Sequence, residues 1–447
     1  MNGQLLQSWA GTLRRQGGER AIVQAADGEA VTFRELDARA ESWLAAHAPS
    51  PGRLAGRAVV FAAPNGIGWL EIFVGLLRAG AVAVPLDPAE PPAAQQRVAE
   101  ALRAGFRWDA GGLVPVAGAR RFRDPAVCLI KLTSGTTGAP RPLVFNSAQL
   151  LADARHVTST MGIDRRDLNY ALIPFGHSYG LGNLTLPLLA HGVPLVCGSA
   201  PLPHAIAVDF AKWRPTAFPG VPVIWRALTA STVTLPSLRL AISAGAPLPP
   251  EVARDFAARF GRRLHNFYGS SETGGIAYDA TGRPTLDGGV GRAMHGVNLT
   301  LQPGGRLRVC SAAVFTHGNR SRGKPGSWVM PDRVAIDPGG VLTLLGRRGT
   351  TVKVAGRRVN LAEVATRLRK VTGVRDAWVG VGGGIDPVLG AVVATDRPAA
   401  DLRAALQGGC AAWKIPKKIV VVPALPVTAR GKPDARELRA RLFGPEV

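Results

Sequence analysis

Short, mostly apolar runs set the first limit on how this chain folds. Ala58 to Ala63, Ala81 to Leu86, Leu195 to Cys197 and Leu238 to Ser243 are bounded by Gly or Pro. Between such runs, Phe33 to His47, Gly68 to Ala79 and Pro250 to Phe260 space their apolar residues three and four apart, which gathers them on one face of a helix. A strand covered by helices on both sides is apolar at consecutive positions, whereas a half-exposed strand alternates. The alternation therefore predicts an α/β fold class with largely buried parallel strands. From Leu299 the texture changes to short β-like runs separated by Gly, Pro and Asn, as in "LTLQPGGRLRVCSAAVF" and "VAIDPGGVLTLLGRRG". This section reads as a β-rich closure of the large domain.

After Gly349 the order becomes strand, helix, strand, strand, helix, strand: Thr351 to Val354, Leu361 to Val371, Ala377 to Val381, Ala391 to Ala394, Leu402 to Leu406 and Lys418 to Val422. That is a compact α+β unit of about a hundred residues, enough to sustain its own core. The Gly-Arg-Arg-Gly turn before it marks the junction. The expected organisation is a large domain over 1–345, a hinge over 346–350 and a small mobile lid over 351–447.

Composition narrows the function classes. The chain has 447 residues, with 46% hydrophobic and 19% charged, which excludes disorder and leaves room for two cores. Its net charge of +23 alone would suggest a polyanionic partner. Only nine of the 54 cations are lysine, however, and the arginines are dispersed among Ala, Gly and Pro. The reading is a basic enzyme with anionic substrates, with no nucleic acid as partner. Cys128, Cys197, Cys310 and Cys410 lie far apart, without the paired spacing of a zinc site or a disulfide framework, which points to a reducing cytoplasm. Neither Met1 to Gln16 nor the broken apolar stretch Leu184 to Cys197 reads as an export signal or a membrane span.

The chemistry begins at "TSGTTGAPRP", Thr133 to Pro142, directly after the apolar run Val127 to Leu132. Alternating hydroxyls and glycines let a backbone fold closely around phosphate oxygens, offering N–H and O–H donors where no Cβ blocks approach. Ser134, Thr136 and Thr137 are the expected phosphate donors.

This loop resembles the phosphate loop of the adenylate-forming superfamily, which comprises acyl- and aryl-CoA synthetases, peptide-synthetase adenylation domains and luciferases. The resemblance extends along almost the whole chain. "VTFRELDARA" and "GLLRAGAVAVPLDPAEP" precede the loop; "IPFGHSYGLG", "SAGAPLPPEV", "NFYGSSETGG", "MPDRVAID", "GRRGTTVKVAGRRVNLAEVA" and "PVTARGKPDARELR" follow it in the family's order.

The resemblance implies ATP and magnesium as cofactors and an organic acid as substrate. It implies nucleotide binding by Thr133, Ser134, Gly135, Thr136, Thr137, Gly138 and Arg141, by Gly245, Ala246 and Pro247, and by Asn266, Tyr268, Gly269, Ser270 and Ser271. Tyr268 would stack on adenine, and Ser270 and Ser271 would line the junction of nucleotide and acyl group. A carboxylate beside a triphosphate is repelled unless a cation lies between them, and the family's role for Glu272 is magnesium ligand. Asp332 and Arg347 match the ribose pair, and Lys432, in "TARGKPDAR", matches the catalytic lysine. Lys353, Ala355 and Gly356 belong to the loop that meets the thiol arm of CoA or phosphopantetheine.

In "FGHSYG", His177 stands where acyl- and aryl-CoA synthetases often carry His, and joins Lys432 and Glu272 as a catalytic residue. Gly176 stands where amino-acid-activating domains hold an Asp, so the acid is expected to lack an α-amine. The expected pocket wall is His177, Ser178, Val221, Pro222, Ser243, Gly245, Gly269 and Ile276, which suits an aryl or medium acyl group.

The chain departs from the family pattern at Arg141 and Pro142, in place of Lys-Gly, at Pro331, in place of Gly, and at Gly349, in place of Asp or Lys. Arg141 keeps the charge, Pro142 removes a backbone donor, and Gly349 loosens the hinge. The leading expectation is an acid–thiol ligase acting on CoA or on an acyl carrier protein. The alternatives are an acyl-AMP ligase serving only a carrier protein, a luciferase-like oxygenase, and a binding-only relic of the family.

Overall fold

A computed structural model describes residues 3–48, 50–109, 111–133, 141–315, 326–347, 351–354, 357–382, 388–407, 412–428 and 432–444. The chain divides into two compact units. The first comprises Met1–Leu301, Arg308–Val329 and Ile336–Thr343; the second comprises Gln302–Leu307, Met330–Ala335 and Leu344–Val447. Among the described residues no helix is long and apolar enough to cross a membrane.

The first unit is built on two sheets. In one, the order is Gly112–Pro115, Phe106–Asp109, Ala58–Ala62, Val82–Leu86, Val127–Thr133 and Arg141–Asn146. Its four middle strands run parallel, and the outermost strand on either side turns back antiparallel. The other sheet carries a parallel run of Arg20–Gln24, Leu195–Cys197, Asn169–Ala171, Ala217–Gly220, Leu240–Ser243 and Leu264–Ser270. The strands Gly274–Tyr278 and Gly289–Ala293 continue it antiparallel. The apolar runs are thus the buried parallel strands that their lack of alternation predicts. The antiparallel strand Arg141–Asn146, paired with Val127–Thr133, is the addition.

Local chemistry explains the helix limits. Thr32 Oγ1 accepts the Glu35 N–H at 3.1 Å and Glu35 Oε2 accepts the Thr32 N–H at 2.7 Å, a capping box that starts the helix Phe33–His47. Pro92, Pro203, Pro222 and Pro250 begin helices where a missing N–H costs nothing. The helix Leu361–Arg369 stops two residues short of the predicted Val371, where the chain turns into Thr372 and Gly373.

Aromatic contacts of Trp69 join one sheet of the first unit to the segment that carries His177, within a core that also takes in the other sheet. Trp69, 2% exposed on the helix Ile67–Arg78, lies 5.5 Å from the Phe61 ring, 5.0 Å from Phe73 and 5.4 Å from Phe175. The cluster around it includes Ile22 and Leu195 of one sheet and Val59, Ala83 and Leu129 of the other.

The second unit has its own sheet of Val374–Gly382, Val388–Thr395 and Lys418–Val422. Alternation splits its middle strand between two cores. Leu389, Ala391 and Val393 pack with Val364 and Leu368 of Leu361–Arg369 and with Leu402 and Leu406 of Ala399–Gln407. Val392 and Ala394 face Leu438 and Leu442 of Ala435–Phe443.

Trp69→Ala is expected to destabilise the protein by about 3–5 kcal/mol, the range for emptying a buried aromatic site. Urea unfolding followed by circular dichroism measures it as a lowered midpoint.

Candidate active site

Three parallel strands bring their carboxyl ends to one edge. Gly220 lies opposite Ser243, and Ser243 opposite Asn266, so Ala217–Gly220 and Leu240–Ser243 end side by side, while Leu264–Ser270 runs on past Asn266 to Ser270, paired with Gly274–Tyr278. Open α/β sheets hold ligands beyond this edge, because the loops that leave it converge while the helices return elsewhere. The loops here are Val221 into the helix Pro222–Thr229, Ala244 to Pro247, and Ser271 to Thr273.

The expected pocket residues differ in what they offer. Ser243 is fully buried and its hydroxyl finds no hydrogen-bond partner among the described residues. Gly245 holds a left-handed φ of +84°, which a side chain would strain. Val221 is half-buried and its Cγ1 would be 3.5 Å from a Cβ on Gly245, whereas Pro222 is buried at the start of its helix. Ile276 is completely buried in the strand Gly274–Tyr278.

The His177 segment is held from both sides. Asn65 Nδ2 donates to the Ile173 carbonyl at 2.8 Å, and its Oδ1 accepts the Phe175 N–H at 2.7 Å. His177 Nε2 then meets Asp87 Oδ2 at 3.1 Å, just past the end of the strand Val82–Leu86. A Cβ on Gly176 would stand 2.8 Å from Pro85 Cβ, so the close passage of these two segments requires glycine there. Tyr179 is half-buried, and its hydroxyl donates toward the carbonyls of Gly220 and Ile242 at 3.2 and 3.4 Å. Burial raises its pKa well above the ordinary phenol value, so it stays a neutral donor.

Ser178 ties this segment to the second motif by donating to Ser271 Oγ at 2.9 Å. Within that motif, Tyr268 is 9% exposed and a bulge separates it from Gly269 in the pairing with Gly274–Tyr278. A Cβ on Gly269 would lie 2.8 Å from the Gly274 carbonyl. Ser270 Oγ sits 3.0 Å from Thr273 Oγ1 and accepts the Glu272 N–H at 3.2 Å. The Glu272 carbonyl accepts the Phe315 N–H at 2.7 Å. Asn266 is turned inward, its Nδ2 donating to the Gly289 carbonyl at 3.1 Å, which ties the strand end to its neighbour.

The Glu272 carboxylate is half-buried and makes no ion pair among the described residues. A single hard oxygen donor in that state fits magnesium, which is held by one or two carboxylates together with water and phosphate oxygens.

Three charged residues at this site, Lys131, Asp153 and Asp87, are not singled out by the motifs. Lys131, in the strand Val127–Thr133, is 4% exposed, with its ammonium 4.4 Å from the centre of the Phe145 ring. Burial lowers its pKa, and the nearby carboxylates of Asp153 and Glu272 oppose that shift. A lysine inside the apolar run Val127 to Leu132 is the signal that marks it; Asp153 and Asp87 carry none.

Thr133 closes its strand opposite Arg141, and Pro142 lies opposite Leu132 on the sheet's edge strand, where proline is tolerated. The Arg141 guanidinium stands over the Trp328 ring, 5.4 Å from its centre. Ser134, Gly135, Thr136, Thr137 and Gly138 lie outside the described residues, as do Gly349, Ala355, Gly356 and Gly431.

Asp332, Arg347, Lys353 and Lys432 belong to the second unit. Asp332 is half-buried in the strand Gly326–Ile336, after an exposed Pro331. Arg347 ends the strand Leu342–Arg347, and Lys353 lies opposite Arg358; the side chains of both fall outside the described residues. Lys432 is exposed, and its carbonyl accepts the Thr428 N–H at 2.8 Å. Asp434 then caps the helix Ala435–Phe443 by accepting the N–H groups of Arg436 and Glu437 at 3.0 and 3.1 Å.

The chain is 27% identical over 353 residues to a 2-hydroxy-7-methoxy-5-methyl-1-naphthoate–CoA ligase of Streptomyces carzinostaticus, across 71% of this chain and 63% of that protein. It is 28% identical over 349 residues to a benzoate–CoA ligase of Thauera aromatica, across 70% of this chain and 66% of that one. It thus spans just under two thirds of the length of these relatives. The crystal structure of ATP-bound MatB from Rhodopseudomonas palustris has the same fold, with a TM-score of 0.85 over 99% of both chains at 22% identity. The family model described as AMP-binding enzyme matches residues 9–106 and 116–307, more than half of the sequence. By that match the chain belongs to the AMP-binding enzyme family.

Proposed function

We propose that this chain activates a carboxylic acid with ATP, forming an acyl-AMP and releasing pyrophosphate, and then transfers the acyl group to a thiol. The observation that carries this reading is the Ser178–Ser271 hydrogen bond, which sets the acid-side segment with His177 beside the nucleotide-side turn with Glu272. Adenylation needs that proximity, because a carboxylate oxygen must attack the α-phosphorus while the bond to pyrophosphate breaks.

In this reading Tyr268 and the Ala244 to Pro247 loop hold adenine, Asp332 and Arg347 hold the ribose, and Ser134, Thr136 and Thr137 donate to phosphate oxygens. Glu272 holds magnesium, which offsets the charge of the triphosphate when bound. Lys432 supplies the ammonium that stabilises charge shifting from the carboxylate and α-phosphate toward pyrophosphate. The thiol sulfur then attacks the acyl carbonyl carbon, AMP leaves with the bonding pair, and the thiol proton is released to a base or solvent. Lys353 and Gly356 serve the thiol arm.

The acid lacks an α-amine and is aromatic or of medium length. Gly176 is pressed against Pro85 and leaves no room for the carboxylate that an ammonium would need, and the nearby Asp87 is engaged by His177. Both relatives named above are CoA ligases of aromatic acids. Free CoA is therefore the leading acceptor, with a carrier-protein phosphopantetheine as the second. An aromatic-acid panel assayed with CoA and then with loaded carrier protein separates them. Absence of acid-dependent pyrophosphate–ATP exchange across the panel overturns the enzyme reading.

Lys432→Ala is expected to lower adenylate formation by about two to three orders of magnitude without a change in melting temperature, since the residue is exposed. Near-normal exchange by this variant refutes its role. Glu272→Gln is expected to raise the magnesium needed for half-maximal exchange by roughly tenfold or more. Titration of magnesium at saturating ATP reads this directly.

A further inference from the structure

Asp153 sits mid-way along the helix Ser147–Met161 and is only 3% exposed. Keeping a carboxylate buried costs several kcal/mol unless its oxygens are engaged. Its Oδ1 accepts the backbone N–H of Gly275 at 3.0 Å, in a buried contact. The turn is shaped around this oxygen: Gly274 has a φ of +69°, and a Cβ placed there would run into Asp153 Oδ1. On the other side, a Cβ on Gly182 would stand 3.1 Å from Asp153 Oδ2. One carboxylate thus fills the space left by two glycines, one in each of the two site motifs.

The same helix grips the turn a second time. Gln149 Nε2 donates to the Val314 carbonyl at 2.9 Å, and the next N–H, that of Phe315, donates to the Glu272 carbonyl at 2.7 Å. Glu272 is therefore held between two tethers that start one helical turn apart, at Gln149 and Asp153.

We propose that Asp153 is a positioning residue for the magnesium-binding turn, fixing Gly274 and Gly275 so that the Glu272 carboxylate is presented to the nucleotide. This rests on the reading of Glu272 as the metal ligand. Asp153 touches neither substrate nor metal; it acts through the backbone of the turn. An amide in its place keeps an acceptor for the Gly275 N–H, whereas a methyl removes it.

The test compares the full-length wild-type chain with Asp153→Ala, Asp153→Asn, Gly274→Ala and Glu272→Gln. Hydrogen–deuterium exchange of the peptide covering 269–276 is measured without nucleotide, and magnesium is titrated in pyrophosphate–ATP exchange. Asp153→Ala is expected to speed exchange in that peptide and to raise the half-maximal magnesium, each by about tenfold, with Asp153→Asn restoring most of both. Gly274→Ala, which sets a methyl against the carboxylate, is expected to reproduce both changes, and it carries the test if Asp153→Ala does not fold. Wild-type behaviour of these two variants in both measurements, with Glu272→Gln still shifted, overturns the role of Asp153 alone. An unshifted titration in Glu272→Gln overturns the metal assignment and this role with it.

Discussion

The parallel register of Ala217–Gly220, Leu240–Ser243 and Leu264–Ser270 is the constraint on which the rest depends. Because Gly220, Ser243 and Asn266 lie side by side, the segments that follow Gly220, Ser243 and Ser270 start from one edge, and each supplies residues of the proposed site. A shift of a single residue in any of these strands would turn its side chains to the opposite face and carry its loop away from the other two. The burial of these strands on both faces makes that shift costly, so the core and the site are secured by the same apolar contacts.

Upon this frame the polar contacts add direction. Asn65 holds the chain on either side of Pro174 through a carbonyl and an N–H, which leaves His177 to reach Asp87. Ser178 reaches Ser271, and the turn beyond it is fastened through Glu272, Gly275 and the helix Ser147–Met161. The charges follow a pattern as well. A buried ammonium at Lys131 lies within the electrostatic reach of Asp153 and Glu272, whose carboxylates oppose the downward pull of burial on its pKa.

Much of the fold was legible from neighbouring residues alone. The helices Phe33–His47 and Pro250–Phe260 have the limits that their spacing and caps predict, and the strand Lys418–Val422 falls on its apolar run. Of the site, the motif turns could be located because Gly, Ser and Thr are demanded by close backbone passage. Less was legible where a residue's part depends on a distant neighbour. Ile276 and Asn266 sit in or beside a motif, yet the first is wholly buried and the second is turned to Gly289. The strand Arg141–Asn146, with its proline and mixed pattern, shows itself only through its partner.

By itself the sequence determined which segments are helix or strand, where turns need glycine or proline, and which family the motif order resembles. Periodicity, capping and turn chemistry act over a few residues, so they are written locally. Only the tertiary structure decided that His177 meets Asp87, that Ser178 meets Ser271, and that Asp153 is buried under Gly274. The Ser178 and Ser271 partners stand 93 residues apart, and Asp153 and Gly275 stand 122 apart. Such contacts are made by the crossing of strands and helices, and the same carboxylate exposed to water would carry no such role.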